Sequence, residues 1–467
     1  MEEKSLRPPI VSVLGHVDHG KTTLLDAIRK SDVASHEAGG ITQSIGASQI
    51  ETKQGKITFI DTPGHAIFSG MRERGVKLAD IALLVVASDD GVMPQTEEAL
   101  SYLKNSKTPF IVVFTKTDLP SSNIEKAKTQ LEEREVFFEG RGGDTPFVVT
   151  SVKKGILSGI DELVEMIYLF SEVNEIKGES AGELNGVVVE TNKDNRGILV
   201  SIVVKSGVLR VGQEIIAGGV RSKVRGLFDS TNKSIKEILP GQPGVILGFT
   251  ELPEVGGVVL ESSSKVQKES VSFSDKNQEV GEGEIAFVLK ARTAGSLEAI
   301  KASLPKVAIV LHSSVGDVTE SDIFFAKSVS ARILVFESKV SGSVKKLADT
   351  EGVKIETFRI VYELLTYVTD LIESGQEVIK GKAEVLNVFP FNNKKVAGCR
   401  IVMGEIKRGE ELILMRGEGE VGKVKVISMR KQKNDIEKAL PGEECGIIFV
   451  PNLDFEVGDV LVSVVKK

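Results

Sequence analysis

Lys21 and Thr22, an ammonium followed at once by a hydroxyl, close the run Gly15-His16-Val17-Asp18-His19-Gly20-Lys21-Thr22. Glycines at both ends of such a loop let successive backbone N–H groups turn inward onto phosphate oxygens, and a helix starting there adds a favourable field. In this arrangement Lys21 reaches the outer phosphates, Thr22 offers its hydroxyl to Mg²⁺, and Thr23 continues the backbone cradle.

Further clusters follow in order. Thr42 lies in Gly39-Gly40-Ile41-Thr42-Gln43, a polar glycine-rich loop. A mobile loop with a hydroxyl closes on Mg²⁺ only when a γ-phosphate is present, which makes it a switch. Asp61-Thr62-Pro63-Gly64-His65 ends an apolar run. There Asp61 can hold Mg²⁺ through water, and the Gly64 N–H can approach the γ-phosphate because no side chain intervenes. His65 is then placed to orient an attacking water, whereas His16 and His19 pack within the loop, and His36 and His312 read as structural or solvated. Base choice comes from Thr115-Lys116-Thr117-Asp118 and Ser151-Val152-Lys153. A carboxylate such as Asp118 accepts two hydrogen bonds from guanine that adenine cannot supply, so GTP rather than ATP is the expected nucleotide. The Lys116 stem covers the base face, and Ser151 supports the purine carbonyl side through its backbone.

Such groups need a scaffold. Apolar runs at 11–14, 57–61, 81–87, 110–115 and 147–150, each followed by turn chemistry and then a helical pattern, predict a mostly parallel, doubly wound sheet with ligands at the carboxyl ends of its strands. The whole chain reads as an α/β multidomain protein. A short tail (1–7) precedes a P-loop GTPase domain (8–178), then a small antiparallel β-barrel (182–261) and a polar linker (262–283). An α/β/α module (284–357) follows, with Thr319-Glu320-Ser321-Asp322 as a capping-box-like helix start. A connecting helix (358–376) leads to a C-terminal β-barrel (381–467).

At 467 residues the chain is too long for one core. With 41% apolar and 27% charged residues it fits a globular class, and no apolar run is long enough for a bilayer. Met1-Glu2-Glu3-Lys4 has none of the features of a signal peptide, and Cys399 and Cys445 are the only cysteines, too few for a disulfide framework. These features predict a cytoplasmic protein with no membrane association. A net charge of −7 argues against a molecule coated in basic patches while leaving room for one local RNA-binding surface.

The nucleotide clusters, together with Ala87-Ser88-Asp89-Asp90-Gly91-Val92-Met93-Pro94-Gln95-Thr96 and the run Phe68-Ser69-Gly70-Met71-Arg72-Glu73-Arg74-Gly75, closely resemble bacterial translation initiation factor two. Gly142-Gly143-Asp144-Thr145, Gly295-Ser296-Leu297-Glu298-Ala299-Ile300 and Val315-Gly316-Asp317-Val318-Thr319-Glu320-Ser321-Asp322 extend the resemblance, which covers nearly the whole chain from Arg7. It implies a monomeric, ribosome-stimulated GTPase, using GTP/GDP and Mg²⁺. Such a protein brings formylmethionyl initiator tRNA to the small ribosomal subunit and promotes joining of the large one alongside other initiation factors.

The resemblance also implies that the last barrel holds the formylmethionine and the acceptor end. The matching positions are Cys399, the basic run Arg430-Lys431-Gln432-Lys433, and Gly442-Glu443-Glu444-Cys445. Basic side chains there would meet phosphates, and small Gly and Cys positions would leave room for methionine. Thr115 stands where the family usually has Asn, so the ties between base loop and phosphate loop are expected to weaken or rearrange. Gln432 and Glu443 replace residues that are often aromatic, Ser44 replaces a histidine, an N-terminal extension is not expected, and the 262–283 connection is shorter and less basic than usual in the family. The competing reading is a nucleotide-gated ribosome- or RNA-binding protein without efficient turnover or formylmethionine recognition.

Overall fold

The computed structural model describes residues 5–29, 42–153, 156–262, 284–375, 377–391, 394–417, 419–431, 434–451 and 453–466. His36, residues 39–41, most of the 262–283 linker, Gln432 and Lys433 lie outside them. The chain forms two compact units, one holding the described residues up to Leu365 and the other those from Thr366.

The first unit opens with a six-stranded sheet in the order Gly46–Glu51, Lys56–Asp61, Ile10–Gly15, Ile81–Ala87, Phe110–Thr115, Phe147–Val149. All pairings are parallel except that of the edge strand Gly46–Glu51. Every residue of Ile81–Ala87 is buried, as expected of a parallel strand covered on both faces. The covering helices are α1 (Lys21–Arg29), α2 (Ser69–Leu78), α3 (Pro94–Ser106), α4 (Ile124–Glu132) and α5 (Ile160–Val173). Leu24, Leu25, Leu163 and Ile167 fill one face, and Leu100, Leu103, Leu131 and Phe138 the other.

An eight-stranded antiparallel sheet follows, between Asn185–Asp194 and Val258–Glu261, wrapped around Val188, Val200, Ile202 and Ile246. Next, four parallel strands are ordered Ala308–Val315, Ile285–Ala291, Arg332–Phe336, Ile355–Phe358. They carry α6 (Ala294–Ser303), α7 (Glu320–Ser328) and α8 (Gly342–Glu351). The capping box at α7 is formed: Thr319 N donates to Asp322 Oδ2 at 2.8 Å, and the Thr319 side chain accepts from the N3 backbone. The helix expected from residue 358 begins later. Phe358 ends a strand paired with Arg332–Phe336, and α9 runs Val361–Gly375. The apolar pattern runs back through Phe358, which backbone pairing with Phe336 holds in the sheet instead.

Hydrogen bonds and ion pairs join these modules within the first unit, among them two groups that bear on the site. The Gly295 N–H at the start of α6 donates to Glu190 Oε1 at 3.1 Å, and Arg74 of α2 pairs with Glu298 of α6. The second link runs through Gln43, whose amide accepts from Val361 N at 3.0 Å and donates to Arg359 O at 2.7 Å.

In the second unit, strands Glu411–Arg416, Val460–Lys466, Glu377–Phe391, Lys394–Gly404, Glu444–Val450 and Gly419–Lys431 pair in that order, and the last returns to the first, closing a barrel. Alternation sets its interior: in Glu411–Arg416 only Leu412 and Leu414 are buried. Among the described residues no helix is long and apolar enough to cross a membrane.

Candidate nucleotide site

The first strand has to end in glycine. Gly15 has φ +147°, and a Cβ there would strike the Val85 carbonyl of the neighbouring strand. The chain then loops over the carboxyl end of this strand and enters α1 at Lys21, bringing the first N–H groups of the helix under the loop. Val17 N donates to Gln95 Oε1 at 3.0 Å, which ties the loop to α3. Sequence reasoning missed this role for Gln95, although Pro94 beside it marks the helix start that places it.

A cavity of ≈ 230 Å³ opens at this point. It brings together Val17, Asp18, Gly20, Lys21, Thr22, Thr23, Thr42, Gly64 and His65, and adds Tyr362, which sequence reasoning did not single out. Lys21 is 7% exposed and its ammonium donates to the His16 carbonyl. Burial pushes its pKa down to about 8, against the upward pull of Asp61. A buried ammonium of this kind is stabilised by a nearby anion, and phosphate supplies one. Gly64 is closely held: a Cβ would fall on Lys21 Nζ, so a side chain there would displace the lysine.

The Thr22 and Thr42 hydroxyls lie 3.2 Å apart. Two hard oxygen donors, one from the phosphate loop and one from the loop expected to act as a switch, suit Mg²⁺. Asp61 ends the neighbouring strand and is buried, with Arg29 Nη1 3.8 Å from its Oδ2.

His65 caps the short 3₁₀ turn Ala66–Phe68, its Nδ1 accepting from Ile67 N at 3.2 Å. That bond assigns the ring proton to Nε2 in the neutral form. Burial and then the Arg72 charge lower its pKa from the usual 6.5. The ring meets Tyr362 edge-on, with centroids 4.1 Å apart.

His16 and His19 pack against each other within the loop. His19 is fully buried, accepts from Ala87 N at 3.3 Å, and burial drives its pKa down to about 4. His16 lies edge-on to it at 5.1 Å and is also lowered by burial.

The base loop sits on adjacent strand ends. Thr115 does not abandon the tie to the phosphate loop: its hydroxyl donates to the His19 carbonyl at 2.7 Å in a buried bond. The connection is rearranged onto one short hydroxyl. The Lys116 ammonium lies 3.6 Å from Asp89 and 3.5 Å from Asp90. Asp118 follows in the turn, and Thr117 Oγ1 donates to Thr150 O at 2.8 Å, linking this turn to Ser151. Ser151–Lys153, which includes Val152, pairs antiparallel with Ile156–Ser158, and the Ser151 and Ser158 hydroxyls lie 2.8 Å apart.

The C-terminal barrel is organised differently. Cys399 and Cys445 face each other across strands Lys394–Gly404 and Glu444–Val450 and are 1% and 5% exposed. They belong to the barrel interior, which corrects the expectation of open room for methionine at these positions: inward alternation puts them in the core. Burial raises both thiols, Cys445 to about 11. Gly442 faces open space, where a Cβ would meet no described atom within 4 Å. Arg430 pairs with Asp435 at 2.5 Å, Lys431 with Glu443 at 2.7 Å, and Glu444 with Arg400 at 2.6 Å.

A glycine-ended strand, a phosphate-wrapping loop, a hydroxyl pair and a base loop on neighbouring strand ends define a P-loop GTPase. Family models agree along the chain: residues 7–172 match the elongation factor Tu GTP binding domain, 183–262 elongation factor G domain 2, and 260–369 translation-initiation factor 2. Translation initiation factor IF-2 of Thermus thermophilus is 39% identical over 97% of this chain and 86% of its own length. Those of Caldanaerobacter subterraneus and a Thermotoga species are 39% and 40% identical, covering 98% and 97% of this chain and 70% and 71% of theirs. Among solved structures, GDP-bound aIF5B from Aeropyrum pernix is 25% identical over 99% of this chain and 92% of its own, with a TM-score of 0.46. The chain belongs to the translation initiation factor IF-2 family. It is a translational GTPase that binds GTP and GDP and acts in initiation.

Proposed function

We propose that this protein carries formylmethionyl initiator tRNA to the small ribosomal subunit in its GTP state, promotes large-subunit joining, and hydrolyses GTP through His65. The observation that carries the catalytic part is the single cavity shared by Lys21, Thr22, Thr42, Gly64 and His65. Loop N–H groups of Gly15 to Thr23 wrap the phosphates, Lys21 neutralises the outer ones, and the Gly64 N–H contacts the γ-phosphate. Thr22, Thr42 and Asp61 would hold Mg²⁺, which supplies charge neutralisation at the β- and γ-oxygens. Asp118, Lys116 and the Ser151–Lys153 strand select guanine.

With its proton on Nε2, the neutral His65 ring donates a hydrogen bond to the water oxygen, so it orients the water and does not abstract its proton. In the observed conformer the ring lies against Tyr362, and turning it toward the γ-phosphate is the step we assign to ribosome contact. Loss of phosphate then frees the Thr42 and Gly64 loops. In the last barrel, Arg430, Lys431 and Lys433 meet acceptor-end phosphates, and Gly442, Glu444, Cys399 and Cys445 contribute to holding the formylmethionine and acceptor end. The protein works as a cytoplasmic monomer alongside other initiation factors.

Ribosome-stimulated phosphate release tests this reading. His65→Ala is expected to lower the rate by about 10²-fold or more while nucleotide affinity stays constant. Unchanged release would remove His65 from the chemistry. Binding of formylated and unformylated initiator tRNA at one salt concentration tests the cargo, and equal binding would count against formylmethionine recognition.

A further inference from the structure

Arg72 heads the fully buried side chains by size among the described residues. Burying a guanidinium is costly, and a hydrophobe of similar volume would pack α2 at least as well. Its terminal nitrogens are concentrated on one short stretch of backbone. Nη1 donates to Pro63 O at 3.2 Å and to the His65 carbonyl, and Nη2 donates to Ala66 O at 3.5 Å. From the other side, Nη2 meets Glu98 Oε2 of α3 at 2.6 Å, and the second Glu98 oxygen accepts from the Tyr102 hydroxyl at 2.7 Å. The Nε is buried with no hydrogen-bond partner. The side chain therefore forgoes one bond while gripping the loop that carries Gly64 and His65.

The direction of that grip matters. A trans peptide holds its C=O and N–H on opposite sides. Drawing the Pro63 carbonyl toward Arg72 turns the Gly64 N–H away from it, and Gly64 borders the cavity beside Lys21. Arg72 does not line that cavity.

We infer that Arg72 is a positioning residue for hydrolysis. It sets the Pro63–Gly64 peptide so that the Gly64 N–H faces the γ-phosphate, and it fixes the His65 backbone from which the ring turns onto the water. Glu98 and Tyr102 of α3 hold the guanidinium in place. This rests on the assignment of Gly64 and His65 made above. Because GDP has no γ-phosphate, the device discriminates between the two nucleotides. Its positive charge also helps keep His65 neutral.

The test uses the full chain and compares R72K, R72Q, E98Q and H65A. Binding of GDP and of a non-hydrolysable GTP analogue is measured, together with kcat and KM for ribosome-stimulated hydrolysis as a function of pH. R72K and E98Q are expected to bind GDP as the parent does, to lose preference for the GTP analogue, and to drop kcat by about tenfold from misplacement of the reacting groups. R72Q, lacking the charge, is expected to move the acid limb of the pH profile upward, whereas R72K leaves it in place.

Parental hydrolysis in R72K and E98Q would overturn the inference. So would an equal loss of GDP and GTP-analogue binding, since Arg72 would then be a strut for the whole fold. If the Arg72 variants do not fold, E98Q decides by the same criteria. H65A separates the two claims: retained hydrolysis there defeats the catalytic assignment, whereas lost hydrolysis with a parental E98Q defeats only the role of Arg72.

Discussion

The nucleotide pocket and the C-terminal barrel both carry cations, and they hold them in opposite ways. Lys21 and Arg72 are withdrawn from water and held by backbone carbonyls. Arg430 and Lys431 project into solvent and are each occupied by a carboxylate. A buried charge acts in a poorly screened medium, so its position decides its effect. For an exposed charge, availability decides, because salt and neighbours compete for it. The first region suits discrimination at atomic distances, and the role proposed for the second, contact with a polyanion, would depend on release of counterions.

The sharpest way to break this contrast is Lys21→Ala. Removing a buried cation that faces the phosphates is expected to weaken GDP binding by about 10²-fold or more, read by fluorescence titration. A loss near that of a surface lysine would show that burial adds nothing.

Acid provides the next test. His19 has a pKa of about 4 in the folded protein against 6.5 when unfolded. Its folded value is depressed, so its contribution to stability is complete above pH 6.5 and is lost as pH falls from there through 4. The loss at the acid end amounts to about 3 kcal/mol. Thermal unfolding of the nucleotide-free protein should show this slope, and His19→Asn should flatten it; an unchanged slope would place the acid sensitivity elsewhere.

Thr115→Val sharpens the comparison inside the pocket. It leaves the His19 carbonyl without its donor in a buried place, and a loss of about 1–2 kcal/mol in GDP affinity is expected. Full retention would mean that the base loop needs no such tie.

The smallest effect belongs to the barrel. Glu443→Gln releases Lys431, so initiator tRNA binding at low salt should rise by about twofold and the gain should vanish at high salt. A loss of binding would instead make Glu443 part of the recognition surface.

The two regions were also unequally legible in the sequence. Gly15 to Thr22 could be read directly, because strand end, glycine geometry and helix start are all local. Thr42 and His65 could be read from their order after the loop, and the structure places both at one cavity with Lys21. Arg72 could not: arginine on an amphipathic helix reads as a solvent-facing residue, and only the packing of α3 makes it a buried grip. Thr115 looked like a weakness because the reach of a hydroxyl to His19 depends on how close two strand ends come. In the barrel, the run from Arg430 to Lys433 announced positive charge, but its partners Asp435 and Glu443 arrive through strand pairing and a turn. The inward burial of Cys399 and Cys445 was not legible, because alternation in two long strands, rather than composition, decides which face is inward.

Gln43 leaves the chain with an evolutionary constraint. A single amide satisfies one carbonyl and one N–H, at Arg359 and Val361, and its neighbour Thr42 supplies a hydroxyl to the pocket. Glutamate would keep the acceptor and lose the donor, lysine would do the reverse, and the shorter asparagine would not span the distance to both. Drift is therefore restricted at position 43 even though it does not line the nucleotide cavity. Insertions or deletions between Phe358 and Val361 have to be compensated in a loop more than three hundred residues earlier.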